Sequence, residues 1–222
     1  MNEELRTEAL LDLEHTIAAD IFKGLNYPWE ALPRISEFII ALGNTLSPDE
    51  YEKKGDDIWI ARSAAAAPSA YLHGPLIICP GAEVRHCAFI RGSAIVGKGS
   101  VIGNSTELKN CIIFDNAQVP HYNYIGDSIL GFKAHLGAGA ITSNLKSDRS
   151  LVTIPVAGEK LATELKKFGA IIGDNVEVGC NSVLNPGTVI GRNSTVYPLS
   201  MVRGIVPANT IYKKQGELAE KL

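Results

Sequence analysis

The densest group of side chains able to do chemistry is His121-Tyr122-Asn123-Tyr124-Ile125-Gly126-Asp127. It is followed closely by His135-Leu136-Gly137-Ala138-Gly139-Ala140. A histidine is the side chain best suited to take a proton near neutral pH, so His121 is a candidate general base. The bland alternative is a histidine stacked on the outside of a repeat. No run of basic residues stands near it, and the four cysteines, Cys79, Cys87, Cys111 and Cys180, form no C-x-x-C pair. They fit a reduced, cytoplasmic protein and read as small packing residues.

The elements that must position these residues follow a period of six. Ile60, Ala66, Leu72, Ile78, Val84, Ile90, Val96, Ile102, Leu108 and Phe114 are all apolar, and the phase returns at Ile172, Val178, Leu184, Ile190, Val196 and Val202. Four residues after each comes a mostly small one, such as Ala82, Ala88, Ala94, Ser100, Ser182 and Ser194. This is the hexapeptide pattern of a parallel β-helix, in which three short strands make one triangular coil of about 18 residues. The large residue fills the prism and the small one lets the chain turn. Gly97, Gly103, Gly173, Gly179 and Gly191 follow the large residue, where a turn tolerant of positive φ is expected. Ordinary alternating strands would give a period of two. Near Pro120 the spacing shortens, with Ile125, Leu130 and Leu136 five and then six apart. Such an irregularity re-aims a side chain and often marks function.

The β-helix is expected over 57–206. Residues 1–56 carry helical spacing instead, first at Leu5, Ala9, Leu10, Leu13, Ile17 and Ile21 with Gly24 as a stop. A second helix is expected from Trp29 to Leu42, opened by Pro28 and closed by Gly43-Asn44. Both helices suit a cap over the open N-terminal end of the solenoid, or a partner surface. Residues 144–170 lose the six-residue phase and read as a functional loop insertion. The tail, 207–222, is expected to form a short helix.

The composition is that of an ordinary globular chain, 45% hydrophobic and 20% charged, with a net charge of −3. It gives no reason to expect a nucleic-acid partner. No apolar run approaches the roughly 18 residues of a membrane span, and the N-terminus lacks the pattern of a signal peptide.

Beyond the repeat, Arg91 to Ala140 resembles the acetyltransferase domain of the bifunctional N-acetylglucosamine-1-phosphate uridylyltransferase/glucosamine-1-phosphate acetyltransferases. It is similar too to the C-terminal β-helix of sugar-1-phosphate nucleotidylyltransferases. The matching pieces are Gly103-Asn104, Glu107-Leu108-Lys109, His121 with Tyr124-Ile125-Gly126-Asp127, Gly137-Ala138-Gly139, Asn144 and Ile171-Ile172-Gly173-Asp174. The resemblance implies an all-β, left-handed parallel β-helix working as a homotrimer with acetyl-CoA as co-substrate. No metal is required for acetyl transfer. It makes His121 the base that deprotonates the amine of glucosamine 1-phosphate. It gives the sugar phosphate to Arg91, Lys109, Tyr124 and Lys167, and the amine to Asn144. Ala138, Cys180 and Pro198 would line the acetyl-CoA channel, with Lys213 near the cofactor's phosphate.

The chain departs from the acetyltransferases at three places. His135 stands at an asparagine of the sugar site, Leu145-Lys146-Ser147 replaces tyrosine-aspartate-glycine, and Cys180 replaces a serine. The long loop is closer to that of the nucleotidylyltransferase-linked β-helices. Residues 1–59 hold no Gly-rich phosphate loop, so uridylyltransferase activity is not expected. Two readings stand side by side: an amino-sugar-phosphate N-acetyltransferase, and a non-catalytic trimeric module that binds sugar phosphate and partners a separate nucleotidylyltransferase. A third, a β-helical metal hydrolyase, needs three histidines on neighbouring coils, and the five present lack that spacing.

Overall fold

The computed structural model describes residues 2–156, 158–214 and 216–221. Its centre is a left-handed parallel β-helix. The six-residue phase becomes three vertical stacks of inward side chains. One runs Ile60, Ile78, Val96, Ile113, Leu130, Ile172, Ile190 and Val206. A second runs through Val84, Ile102, Val119, Leu136, Val178 and Val196, and a third through Ile90, Leu108, Ile125, Thr142, Leu184 and Val202. Parallel strands about 4.8 Å apart place like residue on like residue, so each stack is an apolar column, interrupted in the third by the hydrogen-bonded Thr142.

The phase slips one step earlier than its spacing predicts. Ile113, not Phe114, lies in the inner stack, because the register pairs Ile113 with Val96 and with Leu130. Phe114 turns outward and is buried against Phe22, with ring centroids 6.1 Å apart. The missing residue is at a corner, where single residues, Asn110 and then Asp127, replace the pair Gly92-Ser93 of the coil before. Both adopt positive φ, and the strands Glu107–Ile113 and Tyr124–Leu130 run through them without a break.

The five glycines after the large residues do not have positive φ. They are small because the next coil is close. A Cβ at Gly103 would collide with the Pro120 carbonyl, and one at Gly173 would lie 2.9 Å from Arg192 N. Positive φ falls on other residues, several of them asparagines, among them Asn116, Asn175, Asn181, Asn193 and Asn209, which reach that region at low cost. Asn175, Asn193 and Asn209 also form a ladder, each side-chain amide donating to the next at 3.2 and 3.0 Å.

The three outer faces differ. The first carries Trp59, Ile77, Ile95, Ile112, Ile129, Ile171 and Val189, all buried. The N-terminal segment hides them, lying along the side of the prism rather than capping its end. The expected first helix is only Thr7–Leu10 between short 3₁₀ turns, because the segment follows the column of isoleucines and anchors its backbone on the coils. Leu10 O accepts from Asp174 N at 3.1 Å and His15 O from Asp115 N at 3.0 Å. The second helix begins as a 3₁₀ stretch, Pro28–Arg34, and becomes α-helical only at Ile35–Gly43, beyond Pro33. At the open end the strand Tyr51–Lys53, antiparallel to Ile58–Ala61, covers the edge of the first face.

The other end is closed by a hairpin, Thr210–Lys214 with Glu217–Glu220, where a helix was expected. Antiparallel pairing satisfies the last coil's backbone in a way a helix cannot. The insertion between Asn144 and Ala170 is an arm with its own hairpin, Thr153–Val156 and Glu159–Ala162. Its Val152, Ile154 and Phe168 are fully buried, and Phe168 packs against Trp29 with ring centroids 5.7 Å apart. Among the described residues no helix is long and apolar enough to cross a membrane.

Candidate active site

His121 ends the strand Gln118–His121 at the corner between the second and third faces, with its side chain exposed. Its Nδ1 lies 3.2 Å from Asn104 Oδ1, one coil earlier. With that oxygen as acceptor, Nδ1 carries the hydrogen and Nε2 keeps the lone pair a base needs. The backbone around it is fixed by one buried side chain. Asn123 Oδ1 accepts from His121 N at 3.0 Å, and its Nδ2 donates to Gly137 O at 2.8 Å and Ala140 O at 2.9 Å. Asn123 thus ties the histidine to the Gly137-Ala138-Gly139 turn of the next coil.

Below His121 the same corner carries Ala138, Cys180 and Pro198 in line, one per coil. Gly139 N donates to His121 O, Asn181 N to Ala138 O and Leu199 N to Cys180 O. Cys180 is exposed, and Lys213 lies further down, exposed on the last parallel strand. Among the described residues the Ala138 N–H donates to no protein acceptor, so a backbone donor stands open one coil from the imidazole.

Tyr124 begins the next strand. Its ring lies across the third face, and its hydroxyl accepts from Asn144 Nδ2 at 3.2 Å at the far corner. Gly126 permits this: a Cβ there would lie 2.7 Å from Tyr124 Cζ and 2.8 Å from Asn144 Nδ2. Burial, with Asp127 and Glu107 adding to it, pushes the Tyr124 hydroxyl above its ordinary pKa. It is therefore a neutral group at physiological pH.

Asp127 organises that far corner. It is buried, and its carboxylate accepts from Lys109 Nζ at 3.2 Å, from Asn110 Nδ2 at 2.9 Å and from Asn144 Nδ2. Asn110 in turn donates to Leu32 O at 3.2 Å, which joins the N-terminal segment to the site. Phe168 N donates to Asn144 O at 2.9 Å, which sets exposed Lys167 beside Asn144. Arg91 sits one coil from Lys109 and pairs with Glu107 at 2.7 Å on the exposed rim.

The structure therefore brings Tyr124, Asn144 and Lys109 together, with Arg91 one coil above them and Lys167 next in the chain to Phe168, whose N–H is bonded to Asn144 O. It places His121 at the head of the line of Ala138, Cys180 and Pro198. His135 stands apart. It pairs in register with Gln118, at the other end of the strand from His121, and its Nδ1 lies 2.7 Å from Glu177 Oε2. Three residues of the site were not assigned from the sequence: Asn104, Asn123 and Asp127. Each acts through a neighbour in another coil, which only the register reveals. Among the described residues no group of three His, Cys, Asp or Glu side chains is placed to hold a metal ion.

This combination of coil and site defines a class. Residues 72–168 match the family described as GMPPB C-terminal domain, and residues 169–204 match the bacterial transferase hexapeptide, six repeats. The two matches adjoin and cover residues 72–204, so the chain carries hexapeptide-transferase repeats. More particularly, it is similar to the bifunctional protein GlmU of Methanococcus vannielii, 38% identical over 60% of this chain and 32% of that protein. It is also similar to the GlmU of a Methanococcus maripaludis strain, 32% identical over 86% of this chain and 47% of that protein. The chain thus spans between a third and a half of the length of these relatives. Among solved structures it is similar to an AntD variant from Bacillus cereus, in complex with dTDP and coenzyme A. That likeness is 17% identity, covering 77% of this chain and 89% of that one, with a TM-score of 0.41.

Proposed function

We propose that the chain is an acetyl-CoA-dependent N-acetyltransferase whose acceptor is an amino-sugar phosphate such as glucosamine 1-phosphate. The observation that carries the reading is the pairing of His121, its Nδ1 engaged by Asn104, with the open Ala138 N–H one coil away. The similarity to GlmU supports it. An amine must lose a proton to attack a thioester. His121 Nε2 would take that proton as the N–C bond forms, and would return it to the sulfur as the C–S bond breaks. The Ala138 N–H would meet the charge developing on the thioester oxygen. The line of Ala138, Cys180 and Pro198 would receive the thioester arm, with Lys213 toward its phosphates.

The acceptor would lie over the third face. Tyr124 and Asn144 would orient the sugar, and Arg91, Lys109 and Lys167 would meet its phosphate. Three cations there face two carboxylates, Glu107 and Asp127. Lys167 has no ion pair among the described residues, so it is the cation most free to bind. The acceptor phosphate would compete with Glu107 for Arg91.

A homotrimer belongs to this reading. The third face leaves Tyr71, Phe89 and Met201 exposed, with Tyr122 and Leu199 at its edge, while the first face is already filled by the chain's own segment. Subunits would therefore meet around the third face and its corners. A stable monomer at micromolar concentration in sedimentation would refute the trimer.

A second reading is a non-catalytic sugar-phosphate-binding module that partners a separate nucleotidylyltransferase. The match of residues 72–168 to the GMPPB C-terminal domain favours it, as does the engagement of Lys109 and Arg91 by carboxylates. One experiment decides between them: release of CoA thiol across a panel of hexosamine phosphates, with sugar binding measured in parallel. Thiol release supports the transferase. Binding with no release from any acceptor supports the module.

A further inference from the structure

The arm makes a second cavity, of about 470 Å³, between its hairpin and the last coils. On the arm side it is lined by Lys146, Thr153, Pro155 and Lys160, and on the coil side by Asn185 and Arg203. None of these belongs to the site of His121 and Tyr124. The two walls are seated firmly on each other. Gly187 has positive φ and a Cβ there would lie 2.7 Å from Val152 Cγ1, while one at Gly204, also of positive φ, would lie 3.0 Å from Pro155 Cγ. The buried Val152 and Ile154 hold the hairpin down between these contacts.

The lining carries three cations, Lys146, Lys160 and Arg203, and one carboxylate, Asp148, so its balance is positive. Lys146 is tied to Asp148, whose carboxylate is 3.7 Å away. Lys160 and Arg203 are exposed and have no ion pair among the described residues, although they face one space from opposite walls. Two such cations, with the hydroxyl of Thr153 close by, are the chemistry of an oxyanion site. The volume is within the usual range for an organic ligand, roughly 300–1,000 Å³, and far more than inorganic phosphate needs. Pro155 and Pro186 offer apolar wall for a planar or ring system.

We infer that this cavity binds a nucleoside diphosphate, its diphosphate between Lys160 and Arg203 and its nucleoside against the prolines. The inference rests on the cavity and does not require acetyl transfer. Ser143 lines the cavity and precedes Asn144, so a bound nucleotide would lie next to the sugar site. The ligand is thus either the nucleotide portion of a nucleotide-linked amino sugar whose sugar reaches into the acceptor site, or a free nucleotide acting as effector.

Calorimetric titration of the full chain with uridine and guanosine diphosphates, in the absence of acetyl-CoA, tests it. Saturable binding is expected, weakened at least tenfold in Arg203→Gln and further in Lys160→Gln/Arg203→Gln. Lys23→Ala, at an exposed lysine of the N-terminal segment, should leave it within twofold. Both glutamine changes are at exposed positions, and unchanged thermal melting curves will show that the fold is intact. A nucleotide-linked amino sugar that binds tighter than the free diphosphate, with the gain lost in Tyr124→Phe/Asn144→Ala, identifies the substrate source. Equal affinity identifies the effector source. No binding at millimolar nucleotide, equal binding by the double variant, or inorganic phosphate binding as tightly as the nucleotides would each overturn the inference.

Discussion

The first and third faces are built from the same repeat, and what covers them separates their roles. On the first, each outward position is an isoleucine, valine or tryptophan, and all are sealed by the N-terminal segment and the root of the arm. On the third, the equivalent positions are Tyr71, Phe89, Glu107, Tyr124, Ile141, Val183 and Met201, half-buried or exposed. The inside of the coil is indifferent to this contrast, since its three stacks are equally dry. A repeat fold of this kind fixes a frame from within, and its chemistry is decided by which outer surface is left open. Asp127 belongs to both sides, because its carboxylate holds Lys109 and Asn144 of the site and, through Asn110, the backbone of Leu32 in the cover.

The contrast is broken most severely at His121. His121→Ala should lower kcat by about 10²–10⁴-fold with sugar binding retained, as removal of a general base does. Equal rates for variant and wild type would make His121 structural. On the covered face, Ile112→Ala or Ile129→Ala should cost about 2–5 kcal/mol of stability in urea unfolding, the usual range for a buried isoleucine. Phe89→Ala, at the matching place on the open face, should change that stability by less than about 0.5 kcal/mol at monomer level. A similar loss at both would mean that the open face is also covered in solution.

Gly126→Ala should act on the site more than on the fold. The new methyl meets the Tyr124 ring, which must leave Asn144, so KM for the acceptor should rise about tenfold, a loss comparable to one hydrogen bond of about 1.4 kcal/mol. Steady-state kinetics with unchanged melting would confirm it.

The smallest expected effect is a pH dependence of the cover. Burial holds the carboxyls of Asp115 and Asp174 above the ordinary value of 3.8, against the hydrogen bonds they accept. Each therefore binds its proton more tightly folded than unfolded. Their contribution favours the fold below pH 3.8 and is lost as pH rises through the raised values. Asp115→Asn keeps the acceptor for Lys98 N and carries no charge, so its Tm should gain on wild type as pH is raised from 3.8 toward neutrality. A gap that narrows instead would show that this carboxylate stabilises the cover when charged.

The interior of the coil was legible in the sequence because an inward column needs one large apolar residue at fixed intervals, and Ile60 to Leu108 supply it with the single exception of Ala66. The slip at Ile113 was not, since Ile113 and Phe114 are both apolar and either satisfies the pattern. The N-terminal residues Leu5 to Ile21 have helical spacing, yet their partner is a ladder of isoleucines about 4.8 Å apart, which rewards backbone anchors along the coils over helical turns. His121, Tyr124 and Asn144 stood out by type and neighbourhood. Asn123 and Asp127 did not, because an asparagine and an aspartate in a turn look alike whether they bind water or hold three strands. The glycines after the large residues answer to a different constraint from a turn: at Gly103 it is the neighbouring coil, at Pro120.

One corner has lost a residue in two coils and, in the next, gives out a whole arm before Ile172 settles on Leu130. That corner works as a socket. Arms of other lengths and sequences can be fitted there provided the chain returns in register and keeps the buried contacts that Val152, Ile154 and Phe168 make with the coil and its cover. For an engineer this means that ligand preference next to the sugar site can be exchanged at exposed arm positions such as Lys160, while Lys167, His121 and the buried Val152 and Ile154 stay untouched. For a lineage it means that new specificities can be tried at one place on the molecule at little risk to folding.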